Sequence, residues 1–196
     1  MTITWRSSAV IAALAAALAG CSPAAPKFRG TDITGADFGK VLALTGHDGK
    51  ARTLADFRGK LVVLSFGYTH CPDVCPTTLA DTAAALKALG ADAARVQVLF
   101  VTLDPERDTA ELLAQYLPAF NADFLGLRGD AAATERVAKE FKVFYEKRPG
   151  AAPGAYTMDH SAQSYVLDAE GRLRLVERQD RLAQDLAVDL RTLLTG

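Results

Sequence analysis

Two cysteines separated by three residues, Cys71 and Cys75, offer the most chemistry in this sequence. They stand in Gly67-Tyr-Thr-His-Cys-Pro-Asp-Val-Cys-Pro-Thr-Thr78, between an apolar run and a segment with helical spacing. Residues four apart at a helix start share a face, which brings two such sulfurs within disulfide range and equally within reach of one metal ion. A helix N-terminus carries unpaired amides and a partial positive charge, favouring thiolate over thiol. Thiolate is both the redox nucleophile and the metal-binding form, so the pair suits thiol–disulfide exchange, metal binding or both. An inert disulfide is the plain alternative, but it would close a loop too small to contribute much entropically. Among the histidines, His47 falls in a polar turn beside Asp48 and Gly49, where a solvated side chain needs no special role. His70 adjoins Cys71, and tuning the thiolate, meeting a partner and lying idle on the surface all stay open for it.

The elements around the pair must position it. Leu61-Val-Val-Leu-Ser-Phe66 is a continuous apolar run, as expected of a strand buried on both faces. Pro76 suits the first turn of the next helix, Leu79, Ala83 and Leu86 line one face of it, and Gly90 ends it. Val96 to Leu103 predicts a second buried strand. Asp108 and Glu111 read as a capping box before Leu112, Leu113, Tyr116 and Leu117, with Pro118 stopping that helix. Val41 to Leu44 predicts a strand before a turn at His47 to Lys50, and Phe124 to Leu127 a shorter one. Asp130 caps a helix carrying Val137 and Phe141 on one side. Gln163 to Leu167, a turn at Asp168 to Gly171, and Leu173 to Val176 predict a hairpin, after which Asp180 caps a last helix bearing Leu182, Leu186, Leu190 and Leu193. Alternation early and a hairpin late predict an α/β fold, a mixed β-sheet with helices on both faces.

Composition narrows the function. The 196 residues are 49% apolar and 23% charged, enough for one domain with a real core. Lys plus Arg total 22 against 23 for Asp plus Glu, so there is no basic field for nucleic acid. At the N-terminus Arg6 supplies a positive start and Ala9 to Ala19 an apolar stretch, too short for the about 20 residues a membrane span needs. It ends in Leu18-Ala19-Gly20-Cys21, which resembles the lipobox of bacterial lipoproteins. That resemblance implies a signal peptide over residues 1–20 and a diacylglycerol-modified Cys21. Residues 21–29 then hold the lipidated cysteine and a Pro- and Ala-rich tether, and the folded domain runs over 30–196.

The cysteine motif has a wider context. Gly67-Tyr-Thr-His-Cys-Pro-Asp-Val-Cys-Pro76 resembles the signature of the Sco/SenC family of copper-binding proteins. Asp32-Ile-Thr-Gly-Ala-Asp-Phe38, Asp56-Phe-Arg-Gly-Lys60, Thr102-Leu-Asp-Pro-Glu-Arg-Asp-Thr109 and Asp159-His-Ser161 are similar to that family too, in its order. The resemblance implies a thioredoxin-like fold in which Cys71, Cys75 and His160 bind copper, as Cu(I) and Cu(II). It implies delivery to the dinuclear copper site of cytochrome c oxidase, with the copper-bearing oxidase subunit as partner. A periplasmic copper donor and a thiol reductase are further implied partners. The location implied is the periplasmic side of a bacterial membrane, anchored by lipid at Cys21. Ser22 lacks the aspartate linked to inner-membrane retention in enteric-type bacteria, whereas oxidase assembly favours the cytoplasmic membrane.

His160 then lies just before the hairpin strand that starts near Ala162. Asp159 is a candidate to orient it, Asp73 a candidate partner contact, and Met158 and Tyr156 loop residues that pack rather than ligate. Asp104 to Asp108 reads first as a turn and helix cap. Two other functions compete: a metal-free thiol–disulfide oxidoreductase using Cys71 and Cys75 as its redox pair, and a copper sensor. A peroxidase of the glutathione-peroxidase kind would use a tryptophan, and the single Trp here is Trp5, in the signal segment.

Overall fold

The apolar run after Lys60 forms strand β4 (Leu61–Gly67), and all seven of its residues are buried. The computed structural model describes residues 26–195, and the following holds for those residues. Strands β1 (Thr31–Asp32), β2 (Ala43–Gly46) and β3 (Ala51–Thr53) precede β4. After it come helix α1 (Val74–Leu89), β5 (Val96–Thr102), α2 (Ala110–Tyr116), β6 (Leu125–Arg128) and α3 (Ala131–Glu140). The chain closes with β7 (Tyr145–Pro149), β8 (Tyr156–His160), β9 (Ser164–Leu167), β10 (Leu173–Glu177) and α4 (Leu182–Thr195).

Eight strands form one sheet in the order β1-β10-β9-β4-β5-β6-β2-β3. β4, β5 and β6 are parallel, with crossovers through α1 and α2, while β9 lies antiparallel to β4 on its other side. Side chains of β4 and β5 alternate between two cores. Leu61, Val63, Val98 and Phe100 face α1, α2 and α4, where Leu79, Leu86, Leu113, Leu182, Leu186 and Leu190 meet them. Val62, Leu64, Phe66, Leu99 and Val101 face α3 through Val137, Ala138 and Phe141. Each fully buried Val or Leu of this kind contributes about 1.5–3 kcal/mol over leaving it in water.

Local signals explain most boundaries. Pro76 occupies the third position of α1, where its missing N–H costs no hydrogen bond, and Gly90 ends the helix at φ 62°. Asp130 caps α3, its carboxylate accepting the Ala133 amide at 2.7 Å. Three expectations fail. The cap of α2 is Thr109, whose hydroxyl accepts the Leu112 amide at 3.2 Å, and Asp108 is drawn inward instead. Asp180 is engaged by Arg178, and α4 is entered through a 3-10 turn at Gln179–Arg181. The third concerns Tyr156 and Met158, expected in a loop, which lie on β8; β7 and β8 pair only with each other, in a separate ribbon.

The expected signal peptide, Cys21 and most of the tether fall on residues 1–25, outside the described residues. Phe28 already packs against the α4 side of the core, and the Arg29 and Gly30 amides donate to Asp189 at 2.7–3.0 Å.

Candidate metal centre

The cysteine loop leaves the buried end of β4 at Gly67. A Cβ on that glycine would stand 2.7 Å from Cys75 Sγ and 2.9 Å from the Phe100 ring, so glycine lets the sulfur lie against the strand. The chain turns with the Cys71 amide donating to the Tyr68 carbonyl at 3.2 Å, then enters α1. Cys75 sits in the first turn of that helix and directs its amide to Cys71 Sγ at 3.4 Å. Among the described residues both cysteines are unpaired, and both are buried, at 8% and 3% exposure.

Asp108 pins this loop to β5. Its carboxylate, fully buried, accepts the Thr69 amide at 3.0 Å, the Thr69 hydroxyl at 2.6 Å and the Thr102 hydroxyl at 2.6 Å. Three donors, one of them a backbone amide, offset the cost of burying the charge.

His160 ends β8 and approaches from the other side. Its Nδ1 lies 2.8 Å from the Ser161 carbonyl, which only accepts, so Nδ1 carries the proton and Nε2 keeps its lone pair. That lone pair faces Cys75 Sγ at 3.3 Å, with the Tyr68 ring edge-on to the imidazole. The Cys71, Cys75 and His160 donor atoms all lie within 4.8 Å of one another. Burial pushes the Cys75 thiol well above its ordinary value, with the neighbouring Cys71 adding to it. The helix terminus thus does not win at Cys75; the sulfur keeps its proton at neutral pH until a cation replaces it. Two sulfurs and an imidazole suit a soft ion such as Cu(I), whereas structural zinc takes four protein ligands.

The remaining candidates separate clearly. His70 is exposed, within 3.1 Å of the Thr69 hydroxyl and outside the donor cluster. His47 is not merely solvated: its Nδ1 accepts the Gly126 amide at 3.0 Å, tying the β2–β3 turn to β6. Asp159 does not orient His160, because Arg148 engages it at 2.8 Å on the exposed side of the ribbon and the Ser161 carbonyl fixes the ring. Asp73 is exposed. Met158 and Tyr156 do pack, but on β8, with Tyr68, Cys71 and Cys75. Sequence reasoning missed Tyr68, whose hydroxyl accepts the Met158 amide at 3.2 Å, and the inward role of Asp108.

The profile of the family described as SCO1/SenC matches residues 30–195. The bovine protein named Protein SCO2 homolog, mitochondrial, is 37% identical over 152 residues, covering 76% of this chain. The chain spans just over half the length of that relative, 57%. The structure of Bradyrhizobium japonicum ScoI with copper bound is 40% identical and superposes with a TM-score of 0.73, covering 80% of this chain and 99% of that one. Yeast Sco1 with copper bound is 28% identical with a TM-score of 0.75, over 82% and 90% of the two chains. These matches bear out the α/β, thioredoxin-like expectation of a mixed sheet with helices on both faces. A profile spanning nearly all the described residues, the relatives' shared fold and the gathered Cys71, Cys75 and His160 agree, and this chain belongs to the SCO1/SenC family.

Proposed function

We propose that this domain binds a copper ion through Cys71, Cys75 and His160 and passes it to the dinuclear copper site of cytochrome c oxidase. The observation that carries the reading is the meeting of two thiols and an imidazole lone pair within 4.8 Å, from segments 85 residues apart. Solved relatives described as copper-bound support the choice of ion. Thiolates favour Cu(I), and the imidazole lets the same site accept Cu(II). The protein's part is to hold both sulfurs shielded, to present Nε2 in the right tautomer, and to release the thiol protons as copper enters. Transfer would follow by ligand exchange with the copper-bearing subunit of the oxidase. A periplasmic donor would load the site, and a thiol reductase would keep the pair reduced.

The proposal places the domain on the periplasmic side of a bacterial membrane, with a signal peptide over residues 1–20 and a lipid on Cys21. No helix among the described residues is long and apolar enough to cross a membrane. Copper titration of the reduced protein tests the site. One-to-one binding that falls sharply in Cys71→Ser, Cys75→Ser and His160→Ala is expected, and wild-type affinity in all three sinks the assignment.

One observation favours a second reading. The His160 lone pair, 3.3 Å from Cys75 Sγ, is also where a base would stand to draw off the thiol proton in thiol–disulfide exchange. A reduced protein that binds no copper yet reduces disulfides would make that the function. Delivery and sensing separate in a deletion strain: low oxidase activity that added copper restores supports delivery.

A further inference from the structure

We propose that Arg107 is a positioning residue for the metal centre: it holds the free edge of β8 and thereby sets where His160 stands relative to Cys71 and Cys75. The inference rests on the reading that these three side chains bind one copper ion.

The β7–β8 ribbon pairs with no other strand among the described residues. An isolated two-stranded hairpin is marginal in water, so something in the domain body must locate it. Its outward ion pairs do little of this, because Arg148–Asp159 and Lys147–Glu106 are largely solvated on both sides. The inward edge of β8 is different. The Met158 amide donates to the Tyr68 hydroxyl at 3.2 Å, and the Tyr156 carbonyl accepts from Arg107 Nη1 at 3.0 Å. Arg107 also lays its guanidinium over the Tyr156 ring, 3.6 Å from the centroid, and pairs through Nε with Asp104. The second Asp104 oxygen accepts the Tyr156 hydroxyl at 2.8 Å, which closes a ring of three side chains around a carboxylate 1% exposed.

This ring joins the turn after β5 to the strand that ends in His160. β8 is one extended strand of five residues with Tyr156 at one end and His160 at the other, so a shift at Tyr156 is carried along it to the imidazole. Arginine suits the place because one planar fork makes divergent hydrogen bonds while stacking on an aromatic ring, which an ammonium cannot do. Nothing in the arrangement brings Arg107 to the donor atoms, so its effect runs through His160.

The test uses the reduced full chain with copper as probe, comparing wild type, Arg107→Ala, Arg107→Lys, His160→Ala and the double variant Arg107→Ala/His160→Ala. Both Arg107 variants should lose roughly 10- to 100-fold in copper affinity, the range typical for removing a group that orients a ligand. The Cu(II) absorption of Arg107→Ala should move to that of His160→Ala, and the double variant should bind no more weakly than His160→Ala. Without metal, amide exchange should quicken over Tyr156 to His160 in Arg107→Ala while β4 and β5 stay protected. Wild-type affinity and protection in Arg107→Ala, or losses that add in the double variant, overturn the proposal. If Arg107→Ala does not fold, Tyr156→Phe removes only the hydroxyl from Asp104 and must show a smaller loss of the same non-additive kind; wild-type behaviour there overturns it equally. A wild-type protein that binds no copper defeats the copper reading alone, since the metal-free exchange still decides the role of Arg107.

Discussion

At Gly67 the site is packed against the strand that delivers it, and a single methyl group would collide with both Cys75 Sγ and the Phe100 ring. Gly67→Ala should therefore cost about 1–3 kcal/mol in urea unfolding, as overpacking does. It should also weaken copper binding, because the sulfur is the atom displaced; unchanged affinity would mean the loop absorbs the methyl elsewhere. The cysteines were legible because their spacing and setting are local features of the chain. His160 was legible only through resemblance, since nothing nearby in sequence marks it. The Tyr68, Arg107 and Asp108 roles were hidden for a related reason. Each depends on a partner far along the chain: Tyr68 on Met158, Arg107 on Tyr156 and Asp108 on Thr69.

Helices and buried strands were readable because a periodicity of 3.6 or a solid apolar run is written within one element. The start of α2 shows the limit. Asp108 and Thr109 are both good caps, and only the need of Thr69 and Thr102 for an acceptor decides that Asp108 turns inward. Thr109→Ala should cost about 1 kcal/mol of unfolding free energy and leave copper binding alone. Asp108→Ala should cost more, since each donor left without its buried acceptor costs about 1–3 kcal/mol, and it should loosen the cysteine loop as well. A copper titration beside each unfolding curve checks the contrast; equal effects of the two variants would refute it. The β7–β8 ribbon defeated local reading altogether. Glu146, Lys147, Arg148 and Pro149 have the composition of a surface loop, and what makes them half of a ribbon is the docking of β8 onto Tyr68 and Arg107.

Across the whole molecule the N-terminal segment is fastened by charge. Asp189 of α4 receives the Arg29 and Gly30 amides, and Glu177 of β10 is buried beside it. Burial, with the Asp189 carboxylate and then Asp185 nearby, pushes Glu177 up to about 8 from its ordinary 4.5. Arg181, on the solvent side, pairs with Asp185. Below the unfolded value both states hold the Glu177 proton and the group is neutral in the balance. Between pH 4.5 and about 8 the unfolded chain gives up a proton that the folded chain keeps, so this contribution to stability falls as pH rises through that window. Glu177→Gln should flatten that decline, and urea unfolding at a series of pH values reads it directly. A variant whose stability falls as steeply as wild type would place the titration elsewhere.

The cysteine half of the metal centre follows β4 of the eight-stranded sheet and the histidine half ends β8 of the ribbon, with Cys75 and His160 85 positions apart. An ion held by both is a removable crosslink over that stretch of chain, stabilising the folded state by binding it in preference to the unfolded one. The copper-bound form should accordingly be the more rigid one, with the ribbon freer in its absence. If the domain delivers copper as proposed, a recipient that grips the ribbon would meet a stiffer surface on the loaded form than on the empty one.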